Sequence, residues 1–314
     1  MAERGYNIIH YTGQWWFLVL VCLLWAPAIA TVPANPLFPS NILAEKLLYS
    51  VIVLGSGLLL NLLCKRHRML GMRTFMPVFF LIFISLSLSD FKPDIVSALA
   101  NVFLLLAIAS LVESYHSKNL AYIIFFAGLF VSISVLLSPK LLFTILAIPA
   151  GLLLFRAFNW REWAFGVTGF IIPIYVALCL TYIINGNLEV FDIFPEAIIP
   201  SLFTNKNLFS IDYFLYGWLA FIFIISGFHI PFLIRNKALW RRAYPFILIC
   251  ILLFLAAWWL YPSFLVAEAL AIPLSVWLSL FFLNTRMQKT ATIILSVGII
   301  LFAIRFLYYA IYII

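Results

Sequence analysis

Two aspartates stand four residues apart in Ser89-Asp90-Phe91-Lys92-Pro93-Asp94, a polar interruption between two long apolar stretches. Carboxylates so placed are the best candidates in this sequence for proton transfer. They also suit a plainer task, because an acid such as Asp94 in a first turn favours a helix start. Other chemistry-bearing residues are sparse. His229 lies in Gly227-Phe228-His229-Ile230-Pro231-Phe232, where Pro231 is expected to break a helix and free a backbone carbonyl, so His229 reads as a structural histidine before a proton relay. Asn61 and Asn101 fall inside apolar stretches and read as interhelical hydrogen-bonders. No Walker sequence, Ser/His/Asp order, HExxH or CxxC occurs.

These residues must be positioned by elements that live in lipid. Of 314 residues, 66% are hydrophobic and 10% charged, with a mean hydropathy of +1.15. A soluble domain needs a charged exterior that this chain cannot supply. The net charge of +8 fits basic loops of a membrane protein rather than nucleic-acid binding. Cys22, Cys64, Cys179 and Cys250 all sit within or at the ends of apolar stretches and read as packed thiols, not as disulfides or a metal cluster. Gly55 and Gly57 are expected to allow close helix approach.

At 1.5 Å per residue a bilayer core needs about 20 apolar residues. The sequence predicts an all-α, polytopic bundle of about eleven spans, near 14–32, 44–64, 74–89, 94–113, 119–137, 139–156, 163–185, 212–234, 243–261, 263–284 and 289–312. The first is read as a retained helix, the short third as tilted or thinning the bilayer locally, and the fifth and sixth as an antiparallel hairpin turning at Ser138-Pro139. With the N-terminus cytoplasmic, fourteen of the nineteen Lys and Arg residues fall on the cytoplasmic side, which fixes the orientation and puts the C-terminus outside. The longest outer connection, 186–211, carries Phe191, Phe194, Ile198 and Ile199, either on one side of a short surface helix or in an ordered cap. Trp15-Trp16, Trp160, Trp240, Trp258-Trp259 and Tyr308-Tyr309 read as interfacial belts.

Glu268 and Arg305 are the two charges that lipid tolerates least. From the span limits, Glu268 lies roughly 8 Å below the outer boundary and Arg305 roughly 24 Å from the inner one. In a core about 30 Å thick these are nearly one level. A lone charge there costs at least about 2 kcal/mol, and pairing offsets much of it. A structural Glu268–Arg305 pair is therefore expected.

Between Arg73 and Gly186 the chain reads RTFMPVFFLIF, ANVFLLLAIASLVESY, AGLFVSISVLLSPKLLFTILAIPAGLLLFR and FNWREW followed by GFIIPIYV. This stretch resembles an uncharacterised family of polytopic inner-membrane proteins of Gram-negative bacteria. It is more distantly similar to the GT-C glycosyltransferase superfamily, in the order Gly128–Leu137, Ser138-Pro139-Lys140, Leu141–Phe155 and Arg156–Arg161. The resemblance implies a GT-C-like core near 44–186, followed by the outer loop 186–211 and further spans over 212–314. It further implies an enzyme that takes sugars from a polyprenyl-phosphate donor on the outer face. One carboxylate would then accept the proton of an acceptor hydroxyl, and a diphosphate donor would require a divalent metal. Glu45, Asp90 and Asp94 are the carboxylates for that role. The sequence departs from the superfamily in its first outer loop, TVPANPLFPSNILAEK, whose sole acid is Glu45 rather than an Asp/Glu pair.

That departure tips the expectation toward a non-catalytic subunit or scaffold of a bacterial cell-envelope assembly in the inner membrane, with the lipid bilayer and other envelope membrane proteins as partners and no nucleic acid. A polyprenyl-phosphate-sugar transferase is the alternative. A transporter or flippase of an amphiphile comes third, because only Glu268, Arg305 and His229 lie deep within spans.

Overall fold

The computed structural model describes residues 42–67, 69–70, 74–88, 95–115, 120–155, 159–185, 210–234, 238–260, 264–285 and 288–313. It is all-α: no strand occurs among the described residues, and 95% is helical. The helices are α1 (Ile42–Arg66), α2 (Met76–Leu88), α3 (Ile95–Glu113), α4 (Leu120–Leu137), a 3₁₀ segment (Pro139–Leu146) running into α5 (Ala147–Phe155), α6 (Trp160–Asn185), α7 (Ser210–Ile234), α8 (Ala238–Leu260), α9 (Phe264–Asn284) and α10 (Gln288–Ile313). Each matches one expected span from the second to the eleventh; the first, 14–32, lies outside the described residues. Where water is absent, every backbone N–H must find its partner inside its own segment, and the helix satisfies this. Three stretches, Leu47–Arg66, Ile95–Glu113 and Trp160–Ile184, are long and apolar enough to cross a membrane.

The short third span gains a packed setting, and two expectations are corrected. The short third span is α2, with 13 residues and a length of about 20 Å. Every described side chain from Thr74 to Ser87 is buried, so α2 is an interior helix. Pro231 does not end α7, which continues to Ile234. A Cβ at Gly55 would meet nothing within 4 Å, so close approach belongs to Gly57 alone, where Val78 Cγ1 stands 3.0 Å away.

The chain divides into two compact units, the first comprising Met1–Pro93, Asn205–Lys237 and Leu274–Ile314 and the second Asp94–Thr204 and Ala238–Pro273. In the first, α1 and α2 run antiparallel, since Gly57 abuts Val78 and Lys65 lies 4.7 Å over the Phe75 ring. Aromatic side chains fill the space around α2. Phe80 stacks on Phe282 at 5.2 Å, while Phe83 meets Trp218 at 5.8 Å and Phe302 at 5.3 Å.

The second unit is built on the hairpin that starts in α4. Ser138 is extended ahead of Pro139, and the chain then turns as a 3₁₀ segment before relaxing into α5. Proline suits such a first position because its missing N–H has no intrahelical partner there. Ile124, Val131 and Val135 of α4 pack on Ile148 and Leu152 of α5 and on Ala107 of α3. Along that same stripe of α4, which includes Gly128, glycine meets glycine. A Cβ at Gly128 would run into the Gly166 carbonyl, and one at Gly169 into the Phe125 carbonyl. Thus α4 and α6 cross antiparallel with their backbones in contact. Asn159 ends the loop before α6 by accepting from the Arg161 N–H at 3.3 Å and donating to Glu162 at 3.3 Å, a capping arrangement.

Candidate functional site

The buried polar residues of these helices form crosslinks between distant parts of the chain. In the second unit, Asn101 on α3 donates its Nδ2 to Glu268 Oε2 on α9 at 2.8 Å. Both side chains are buried, and the bond joins residues 167 apart in sequence. This is the interhelical use expected of Asn101. Its amide oxygen, Oδ1, is enclosed and has no hydrogen-bond partner.

In the first unit, Arg305 is 1% exposed. Its Nη1 donates to the carbonyl oxygens of Leu86 at 3.0 Å and Ser87 at 2.6 Å. Those carbonyls belong to the last turn of α2, the part of a helix whose carbonyls look outside it for donors. A guanidinium there supplies hydrogen bonds and complements the negative end of the helix dipole. Glu268 and Arg305 thus belong to different units, and each holds polar partners within its own.

Two further ties use indoles. Trp277 Nε1 donates to Ser226 Oγ at 2.5 Å, and Ser226 passes its own proton to Phe223 O at 2.8 Å. Trp218 Nε1 donates to Ile294 O at 3.2 Å. Sequence reading placed tryptophans at interfacial belts and missed these two interior ones. Trp160 does lie exposed at the start of α6, with the Arg161 guanidinium 5.9 Å from its ring.

Most serine hydroxyls bond back to their own helix, as Ser87 does to Phe83 O and Ser279 to Ser275 O. Ser132, Ser134 and Ser138 differ: their hydroxyls are buried without a partner, as are Asn61 Oδ1 and Thr74 Oγ1. Cys64, Cys179 and Cys250 are free thiols, and no group of three His, Cys, Asp or Glu side chains gathers among the described residues.

Of the carboxylates singled out by sequence, Asp90 and Asp94 lie outside the described residues, as does the connection bearing Phe191, Phe194, Ile198 and Ile199. Glu45 falls in the first turn of α1, and His229 within α7. Chemically, the described polar sites offer one buried carboxylate beside an amide, and one buried guanidinium on backbone carbonyls. No family model, no curated protein and no solved structure matches the chain.

Proposed function

We propose that this chain is a multi-pass protein of a bacterial inner membrane, of about eleven spans with a cytoplasmic N-terminus and an outer C-terminus. In this reading its GT-C-like core serves as a non-catalytic scaffold within a cell-envelope assembly. The observation that carries the reading is α6. Over Trp160–Ile184 it is long and apolar enough to span a bilayer, yet only 6% of it is buried. Its inner edge is the glycine seam against α4, and the rest presents Ile171, Tyr175, Leu180 and Ile183 outward. A broad apolar wall with tyrosines on it is a surface that another membrane helix can cover by van der Waals contact and phenol hydrogen bonds.

Two features support a structural use of the interior. Arg305 caps a helix end, and Glu268 is hydrogen-bonded to a neighbouring helix. Both roles fix geometry. The test is site-specific photo-crosslinking in living cells, with the photoreactive residue placed at Ile171, Tyr175 or Ile183. A scaffold gives one protein adduct of constant mass from these positions and none from Leu62 or Leu252, exposed side chains on other helices. Adducts to lipid alone from all five positions contradict the proposal.

A further inference from the structure

We infer that one end of the first unit is a docking surface for an anionic phospholipid, with Lys65 and Lys289 anchoring its phosphate. Four helix ends meet there. Lys65, in the last turn of α1, stands 4.7 Å over the ring of Phe75, the residue before α2. Phe80, in the second turn of α2, stacks at 5.2 Å on Phe282, near the end of α9. From Asn284, where α9 ends, only three residues separate the chain from the start of α10 at Gln288. Arg305, far along α10, meets the opposite end of α2 at Leu86 and Ser87. The first turn of α10, with Lys289, therefore shares an end of the unit with Lys65.

Charge in these stretches is of one sign. Residues 65–73 and 285–289 hold six Lys and Arg, and neither 46–89 nor 274–314 contains an Asp or Glu. Crowded cations attract an anion. Arg66 has interactions of its own, so the anchoring is assigned to the two lysines. The apolar side chains beside them select a lipid over a free anion. Val51, Leu58 and Leu62 are exposed and share one face of α1 with Lys65, at spacings of seven, four and three residues. Ile293, Val297, Ile300 and Ile304 are exposed on α10 and follow Lys289 at spacings of four, four, three and four. From first to last apolar residue each lane rises about 16 Å, close to one leaflet of a core about 30 Å thick. An acyl chain can lie along such a lane while its phosphate meets the lysine at the end. Lys65 is exposed, and its stem can rest on Phe75 while the ammonium donates to phosphate oxygens. The inference rests on the membrane reading of the chain, and on neither its orientation nor the scaffold.

Dioleoyl-phosphatidylglycerol is the probe, with zwitterionic dioleoyl-phosphatidylcholine for comparison. The full chain, stripped of lipid in detergent, is titrated with each, and the lipid retained is counted by native mass spectrometry. Phosphatidylglycerol is retained about tenfold more strongly than phosphatidylcholine. Combining Lys65→Gln with Lys289→Gln removes the preference, whereas Lys140→Gln, at an exposed lysine of the second unit, keeps it. Should the double variant fail to fold, the two single variants decide, each lowering the preference. Equal retention of the two lipids by the unchanged chain overturns the inference. A preference of unchanged strength in the lysine variants overturns it as well, by placing the lipid elsewhere. Displacement of the lipid by inorganic phosphate at equal concentration does the same, because the site then reads a plain anion. Failure of the membrane reading looks different: the chain would stay out of phosphatidylcholine vesicles, which it otherwise enters whether or not it prefers phosphatidylglycerol.

Discussion

The second unit brings α4 and α6 together by removing side chains, whereas the first surrounds α2 by filling space with them. Gly128 faces the Gly166 carbonyl and Gly169 the Phe125 carbonyl, so the α4–α6 crossing rests on backbone contact. Around α2, Phe79, Phe80 and Phe83 interlock with Phe282, Trp218 and Phe302. Lipid tails are as apolar as leucine, so helices in a membrane gain little from burial alone and must gain from fit. Glycine provides fit by close approach, which leaves the far side of α6 unencumbered. Aromatic packing provides it by enclosure, which leaves α2 with no outward face. A helix held by one seam can serve as a docking wall; an enclosed helix can only brace.

The comparison predicts its own order of sensitivities. Gly128→Val or Gly169→Val forces a side chain against backbone that has nowhere to retreat, and overpacking of this kind costs about 3 kcal/mol or more. Folded yield in detergent should collapse. Gly57→Ala, whose nearest neighbour is the Val78 side chain at 3.0 Å, should be much milder. If the Gly128 and Gly57 variants lose yield equally, the backbone seam is no different from an ordinary contact.

Arg305→Met comes next. It removes the guanidinium donor from the Leu86 and Ser87 carbonyls at the end of α2, at about 1–3 kcal/mol for a buried acceptor left unmade. Arg305→Lys, which keeps a cation at the helix end, should recover part of the loss in thermal unfolding midpoint. No difference between the Lys and Met variants would show that the guanidinium does not cap α2. Trp277→Phe removes one indole N–H from Ser226 and should cost about 1 kcal/mol beyond any change in packing. Trp277→Phe in a Ser226→Ala background should then add little, which a double-mutant cycle reads directly.

The smallest effects separate the scaffold from an enzyme. Asp90→Asn, Asp94→Asn and Glu45→Gln should leave folded yield and the α6 crosslink unchanged. A lipid-linked sugar transferase would instead lose turnover in at least one of them while still assembling, because its chemistry needs a carboxylate base.

Much of the helical plan was legible in the sequence, because a polar or proline-bearing break between apolar runs marks a helix limit whatever surrounds it. The hairpin after Leu137 and the use of Asn101 were legible for the same local reasons. What each helix packs against was not. These helices are apolar on all sides, so periodicity gives no inner face. That is why α2 read only as a short span and not as an enclosed helix, and why Trp218 and Trp277 were not singled out as interior residues. Two groups that Arg305 bonds are likewise hidden, since they are main-chain oxygens 218 and 219 positions away. Sequence showed that this charge needs company, and the fold shows that a helix end is part of it.

The most direct measurement is a density map of the protein isolated gently from its native membrane at full occupancy. The scaffold account predicts a second protein in fixed stoichiometry, with a transmembrane helix along the wall formed by Ile171, Tyr175 and Ile183. A map in which that wall meets only lipid, and a polyprenyl chain occupies a lateral groove near Asp90 and Asp94, would contradict the account and establish the transferase in its place.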